Sequence, residues 1–195
     1  MNAAPSTRRR ARRDEILDAA CRVIARVGTR ALRVEDVAGE AGVATSLLYY
    51  YYFDDRTALL TAAFRHANSQ LVEGRDDPSA TGRERLTRHL LAELADDPAT
   101  AENWSLWSEM MAAAVFDASL REPINEAYAA WIGRVSELIE IGRADGTISA
   151  GADPRRTAER LCSLMDGLGS RTIMGGVDRD RARSITLSAL EIELA

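Results

Sequence analysis

The sequence predicts an all-α protein of about nine helices, on three observations. Apolar residues recur at spacings of three and four along nearly the whole chain, as in Ile16, Ala20, Val23 and Val27. Alternating β-branched runs closed by Asn-Gly, the mark of hairpins, are missing from it. Glycine, proline and aspartate stand where the periodic stretches begin and end, as in Val27-Gly28, Asp97-Pro98 and Asp153-Pro154.

Taken in order, the first helix spans about 10–27 and stops at Gly28. A short second helix carries Val34, Val37, Ala38 and Ala41 and ends at Gly42. Residues 45–51 read as a third. Asp54 and Asp55 suit the cap and first turn of a fourth, which runs through Leu59, Leu60, Ala63 and Ala67. Residues 74–82 are a connector by composition. A fifth helix spans about 83–95, and Asp97-Pro98 starts a sixth that bears Trp104, Trp107 and Met111. Arg121-Glu122-Pro123 opens a long seventh helix with Ile124, Tyr128, Trp131, Val135, Leu138 and Ile139 on one stripe, closed by Asp145-Gly146. The eighth, opened by Asp153-Pro154, aligns Leu161, Met165, Leu168 and Thr172 and breaks at Gly175-Gly176. A ninth follows from about 178 with Ile185, Ala189 and Ile192.

Composition narrows the function classes. With 46% hydrophobic and 28% charged residues in 195, the chain has the balance of a soluble globular protein. No apolar run approaches the ~18 residues a membrane span needs, so no membrane partner is expected. Two cysteines, Cys21 and Cys162, exclude a disulfide scaffold, and two histidines 23 positions apart, His66 and His89, give no metal site. Asp14, Glu15, Asp18 and Arg22 interrupt any apolar segment after the Arg-rich start, so a secretory signal is not expected and the reading is cytoplasmic, with reduced thiols. The net charge of -5 hides an asymmetry: residues 1–60 hold 10 Arg against 8 acids, and the remainder 15 against 22. Arg8, Arg9, Arg10, Arg12 and Arg13 crowd the first 13 positions. A basic end on an acidic body points to a polyanion at that end.

The second and third helices are joined by Ala41-Gly42-Val43-Ala44, the turn length of a helix-turn-helix. Ala38 is small where the helices cross, and Gly42 can take positive φ without steric cost. Val43 and Leu48 are expected to face a small core with Val37. Thr45 and Ser46 suit either capping or phosphate contact. Tyr49, Tyr50, Tyr51 and Tyr52 follow one another, and at 100° per residue at most two can face inward. The rest are left to face outward, toward phosphates and thymine methyls.

These residues resemble a family. Ile16-Leu17-Asp18-Ala19-Ala20, Val27-Gly28-Thr29, Val37 to Val43, Leu48-Tyr49-Tyr50, Phe53, Arg56 and Leu59-Leu60 together are similar to the DNA-binding domain of TetR-family transcriptional regulators, over about residues 12–64. From residue 65 the likeness lies in helix number and length. Trp104/Trp107, the 120–146 helix and Met165-Asp166-Gly167-Leu168 look similar to the regulatory domain of a subgroup that includes choline/betaine-type repressors. Two positions depart from the pattern. Arg33 stands where the family has Thr or Ser, and three tyrosines precede Phe53 where the family has about two residues. Either Tyr52 takes the place of that Phe, or one residue bulges before the fourth helix.

The resemblance implies an arm and helix-turn-helix domain over 1–53 and a regulatory domain over 54–195, with the fourth helix linking them. It implies a homodimer through helices eight and nine, which binds a palindromic double-stranded operator and is released by a small-molecule effector. The expected DNA-facing residues are Arg8, Arg9, Arg10, Arg12, Arg33, Thr45, Ser46, Tyr49, Tyr50, Tyr51 and Arg56. An effector cavity among helices four to eight would draw on Trp104, Trp107, Met110, Met111, Phe116, Tyr128, Trp131 and Met165, with His89, Glu109, Asn125 and Asp166 as polar groups. For Asp166, a salt bridge to Arg171 or Arg143 and a ligand contact stand as alternatives. Aromatics beside a carboxylate would suit a cationic ligand. No cofactor is expected, and no catalytic residue, since the chain has neither a Ser-His-Asp order at a nucleophile elbow nor a Gly-rich phosphate loop. A regulator governed by a protein partner is the alternative, and an all-α enzyme a distant one.

Overall fold

In a computed structural model of the chain, residues 5–51, 55–71, 77 and 79–195 are described, with side chains for 9–49, 55–69, 77 and 79–195. Among these residues the secondary structure is wholly helical. The helices are α1 (Pro5–Ala31), α2 (Val34–Glu40), α3 (Thr45–Tyr51), α4 (Arg56–Leu71), α5 (Gly82–Ala92), α6 (Pro98–Phe116), α7 (Arg121–Ala144), α8 (Pro154–Ile173) and α9 (Arg179–Glu193). A short 3-10 turn, Ala118–Leu120, precedes α7. The chain folds as two compact units, one of residues 1–72 with 105–125 and one of residues 73–104 with 126–195.

The first unit is built around α1. Its residues Ile16, Leu17, Ala20, Val23 and Ile24 are fully buried, at the spacing that puts them on one face. α1 packs on α4, which contributes Leu59, Leu60, Ala63 and Phe64, and on α2, which contributes Val37 and Ala38. Each fully buried Leu, Ile or Phe contributes about 2 kcal/mol by removal from water. Charge fixes the angle between α1 and α2. Arg22 Nε and Arg26 Nη1 donate to the two oxygens of Glu40 at 2.9 and 3.2 Å, and these bonds hold the Glu40 carboxyl below the usual carboxylate range. His66 Nε2 on α4 meets Asp18 Oδ1 on α1 at 2.8 Å.

The long apolar helix stops at Gly28, as the sequence predicts: the backbone there is non-helical, at φ 77° and ψ 165°, and one further turn completes α1 to Ala31. The later turns of α6 belong to this unit as well. Trp107 is buried edge-on against Phe64, with ring centroids 4.9 Å apart, and donates through Nε1 to Asn68 Oδ1 at 3.1 Å.

The second unit surrounds a core of Leu86, Leu90 and Leu94 after and along α5, Ile132, Val135, Leu138 and Ile139 of α7, Leu161, Cys162, Met165 and Leu168 of α8, and Ala182 and Leu190 of α9. Local chemistry sets the helix starts. Thr81 and Glu84 form a reciprocal capping box on α5, while Asp153 and Asp178 accept from the amides of Arg156 and Arg181 to start α8 and α9. Cys162 lies in this core, and burial pushes its thiol up to about 12, so it behaves as a small apolar residue.

Candidate nucleic-acid interface and aromatic site

The α2–α3 connection closes with a Schellman geometry. Val43 N donates to Ala38 O at 2.9 Å and Gly42 N to Gly39 O at 3.2 Å, around Gly42 at φ 62°. Only glycine adopts this backbone freely, so Gly42→Val is expected to cost about 1–2 kcal/mol through the left-handed conformation. For a chain of this length that is a fall of roughly 5 °C in melting temperature. An unchanged melting curve would remove the strained turn from this account.

The turn fixes which face of α3 points out. Leu48 is fully buried beside Val37 and Ala38, so Ser46 and Tyr49, the latter 52% exposed, face solvent on the same side as half-buried Thr45. Arg33 precedes α2 in extended backbone and is exposed, with no capping bond from its side chain. Arg56, at the start of α4, is exposed as well, while Asp55 Oδ1 caps that helix through the Ala58 amide at 2.7 Å. Arg9 and Arg10 are exposed along the first turns of α1. The unit therefore carries hydroxyls, an aromatic edge and guanidinium groups on solvent-facing positions of α1, α2, α3 and α4, the side-chain chemistry that meets phosphates and groove edges.

In the second unit, three aromatic rings gather near a carboxylate. Trp131 of α7 lies edge-on to Trp104, with centroids 6.4 Å apart, and to Tyr128, with centroids 6.0 Å apart. Trp104 is pinned, because its Nε1 donates to the carbonyl of Glu93 at 2.7 Å. Gly169 of α8 allows this packing, since a Cβ there would stand 2.2 Å from the indole. The Tyr128 hydroxyl meets Ser163 Oγ at 3.2 Å. Burial pushes the Asp166 carboxyl up to about 6, with a hydrogen bond from Tyr128 opposing the shift. A carboxylate made uncomfortable by partial burial, hydrogen-bonded to one member of an aromatic cluster, is a pairing that a cation relieves.

Residues 16–63 match the family model of bacterial regulatory proteins of the tetR family, and residues 82–195 match that of the BetI-type transcriptional repressor C-terminal domain. The chain belongs to the TetR family. A TetR-family transcriptional regulator from a Rhodococcus species is 39% identical, with TM-score 0.87 over 94% of this chain and 98% of that one. A transcriptional regulator from Saccharomonospora viridis, crystallised in complex with choline, is 28% identical, with TM-score 0.78 over 92% and 95%. The regulator FadR from Bacillus subtilis, crystallised with stearoyl-CoA, is 24% identical with TM-score 0.72 over 93% and 97%, a likeness of fold. No curated protein matches the chain.

Within this TetR-family regulator, the expected effector residues divide. Trp104, Tyr128, Trp131, Met165 and Asp166 lie in the second unit, with Met165 fully buried and accepting from Thr186 Oγ1 at 3.5 Å. Asp166 takes its hydrogen bond from Tyr128, whereas Arg143 donates to Ala150 O. His89 is half-buried on α5. Trp107, Glu109, Met110, Met111, Phe116 and Asn125 belong to the first unit. There Met110 is fully buried, Met111 and Asn125 are exposed, and Phe116 is 92% exposed. The Glu109 carboxylate accepts from Thr29. Two open cavities of the second unit lie apart from the aromatic cluster. One, of 670 Å³, is lined by Arg83, Thr87, Arg88, Leu91 and Arg183, and the other, of 610 Å³, runs along Thr172, Val177, Asp178 and Arg183.

Among the expected DNA residues, Arg12 is partly engaged within the protein. It pairs with Glu15 at 2.5 Å and donates to Gly42 O at 3.3 Å, which ties α1 to the turn. Arg56 adds its charge to the Ser119 bonds that hold Asp117 below the usual carboxylate range. The side chains of Arg8, Tyr50 and Tyr51, and the choice between Tyr52 and a bulge before Phe53, lie outside the described residues, as does Asp54. Sequence reasoning missed Asn68, Thr29, Ser163 and Gly169. Gly28-Thr29 was legible as a helix break, but its partner lies 80 positions away. Among the described residues no helix is long and apolar enough to cross a membrane, and no group of three His, Cys, Asp or Glu could hold a metal ion.

Proposed function

We propose that this regulator is a homodimeric repressor that binds a palindromic operator through α3 and is released by a small organic cation of the choline type. The observation that carries the effector reading is the Trp104, Tyr128 and Trp131 cluster, whose Tyr128 hydrogen-bonds the half-buried Asp166 carboxylate. The choline bound by the Saccharomonospora viridis relative and the BetI-type match support the same class. Dimerisation through α8 and α9 is supported by what those helices leave uncovered. Leu164, Ile185 and Ala189 are only partly buried, and Met174 and Ile192 are 73% and 77% exposed. A two-fold pair would set two α3 helices about 34–36 Å apart, one turn of B-DNA. Phosphate contacts would supply much of the affinity and make it fall steeply with salt.

One experiment addresses these parts together. The purified chain is expected to run at about twice its 21.3 kDa mass and to shift a duplex from its own upstream region at low salt. Choline should raise its melting temperature and release the duplex, because it binds only the folded protein and prefers one conformer. The neutral isostere 3,3-dimethylbutanol should do neither. A monomer at micromolar concentration, or indifference to every duplex, overturns the operator reading. Equal effects of choline and its isostere overturn the cation reading.

A further inference from the structure

Gly28 interrupts α1 with φ 77° and ψ 165°, so the amide of Thr29 is turned out of the helix ladder. Thr29 is 3% exposed, and a buried donor without a partner is costly. Its partner comes from α6. Thr29 N donates to Glu109 Oε2 at 2.7 Å, and Thr29 Oγ1 donates to the same oxygen at 3.2 Å. The carboxylate lies directly over Gly28, where a Cβ would come within 2.9 Å of it, so the glycine serves both the positive φ and the close approach. From Thr29 the chain runs through buried Leu32 and Arg33 straight into α2, whose far end is held by Arg22 and Arg26 at Glu40. The near end of α2 has no capping side chain of its own.

We propose that Glu109 is a positioning residue for DNA reading: from α6 it clamps the α1–α2 turn and so sets the attitude of α2 and α3. The inference rests on the DNA-binding reading above and adds to it a residue remote from the reading face. Among the described residues, α1 anchors the far end of α2 through Glu40, and α6 anchors the turn that leads into its near end through Thr29.

The test uses the full chain with Glu109→Gln and Glu109→Asp. Glutamine keeps an acceptor at the same reach, whereas aspartate keeps the charge but withdraws it by one methylene. Amide hydrogen exchange at Thr29 and anisotropy of a labelled upstream duplex are read for each protein. Glu109→Gln is expected to keep Thr29 protected and duplex affinity within about twofold of wild type. Glu109→Asp is expected to expose the Thr29 amide and weaken duplex binding about tenfold, the scale of one lost hydrogen bond, with the dimer intact. A merely structural carboxylate would not separate the two variants in this way. Wild-type duplex affinity in Glu109→Asp overturns the inference, and so does a Thr29 amide that exchanges freely in the wild type. The wild-type control keeps the claims apart: if it binds no duplex, the DNA reading fails and takes this inference with it, whereas binding by wild type and Glu109→Asp alike removes the clamp alone.

Discussion

Asp166→Asn is expected to stabilise the protein at pH 8 and to weaken choline binding roughly thirtyfold, the equivalent of about 2 kcal/mol for a partly buried charge contact. The two effects share one cause. In the folded chain burial holds the Asp166 carboxyl at about 6, against 3.8 in the open chain. Below the unfolded value the group is protonated in both states and imposes no penalty. As the pH rises from there through about 6, the folded protein comes to carry a charge it solvates badly, so stability present in acid is lost. Above that window the loss is complete. The side chain is partly exposed, so solvent screening trims the loss to about 1 kcal/mol. Asparagine removes the charge and with it the pH dependence.

Urea unfolding of both proteins at pH 4, 6 and 8 measures this directly, and the stability difference should open between the first and last. Choline binding has the opposite sign. A cation needs the carboxylate ionised, so wild-type affinity should fall as the pH drops below about 6, while the variant stays flat. A variant that binds choline as tightly as wild type at pH 8 would take Asp166 out of the effector site and leave the rings to act alone.

Gly169→Ala should destabilise the second unit by about 3 kcal/mol, equivalent to roughly 10 °C in melting temperature. The new methyl would lie 2.2 to 2.4 Å from three carbons of the Trp104 indole. That ring cannot yield cheaply. Its N–H is committed to Glu93 O at 2.7 Å in a buried site, and its edge meets Trp131. Either α8 moves off α6, or the indole swings away and loses its hydrogen bond to the Glu93 carbonyl. Both outcomes disturb the aromatic cluster, so choline binding should fall together with stability. Pairing Gly169→Ala with Trp104→Leu should recover part of the loss, because the two changes share one contact. Simple additivity of the two would mean that the close approach of α8 to the indole does not exist.

Much of the architecture was legible from local signals. The helices follow from apolar spacing, and the start of the eighth follows from Asp153-Pro154, where Asp153 does cap α8; the caps Thr81 and Asp178 were not singled out in the sequence. The helix-turn-helix was legible because its determinants lie within a dozen residues: small Ala38, Gly42 at positive φ, and Leu48 turned inward. Gly28 was read as a stop because glycine after an apolar run commonly ends a helix. The helix does break there, and what local pattern does not show is that Glu109 accepts from the Thr29 amide that the break sets loose.

The residues expected to meet an effector show the limit more sharply. Trp104 and Trp107 look alike in the sequence, three positions apart on one helix, yet Trp104 is pinned to Glu93 in the second unit and Trp107 to Asn68 and Phe64 in the first. Met111 and Phe116 share the apolar character of buried neighbours and stand in solvent. By itself the sequence determined the helical class, the α2–α3 turn and the family, since each depends on interactions spanning a few residues, where periodicity and backbone preference act. Only the tertiary structure decided that Glu109 serves Thr29, that Asp166 answers to Tyr128, and that Gly169 is the floor under an indole. Those pairings join positions tens of residues apart, and they form only when packed helices bring a buried donor to the one acceptor within reach.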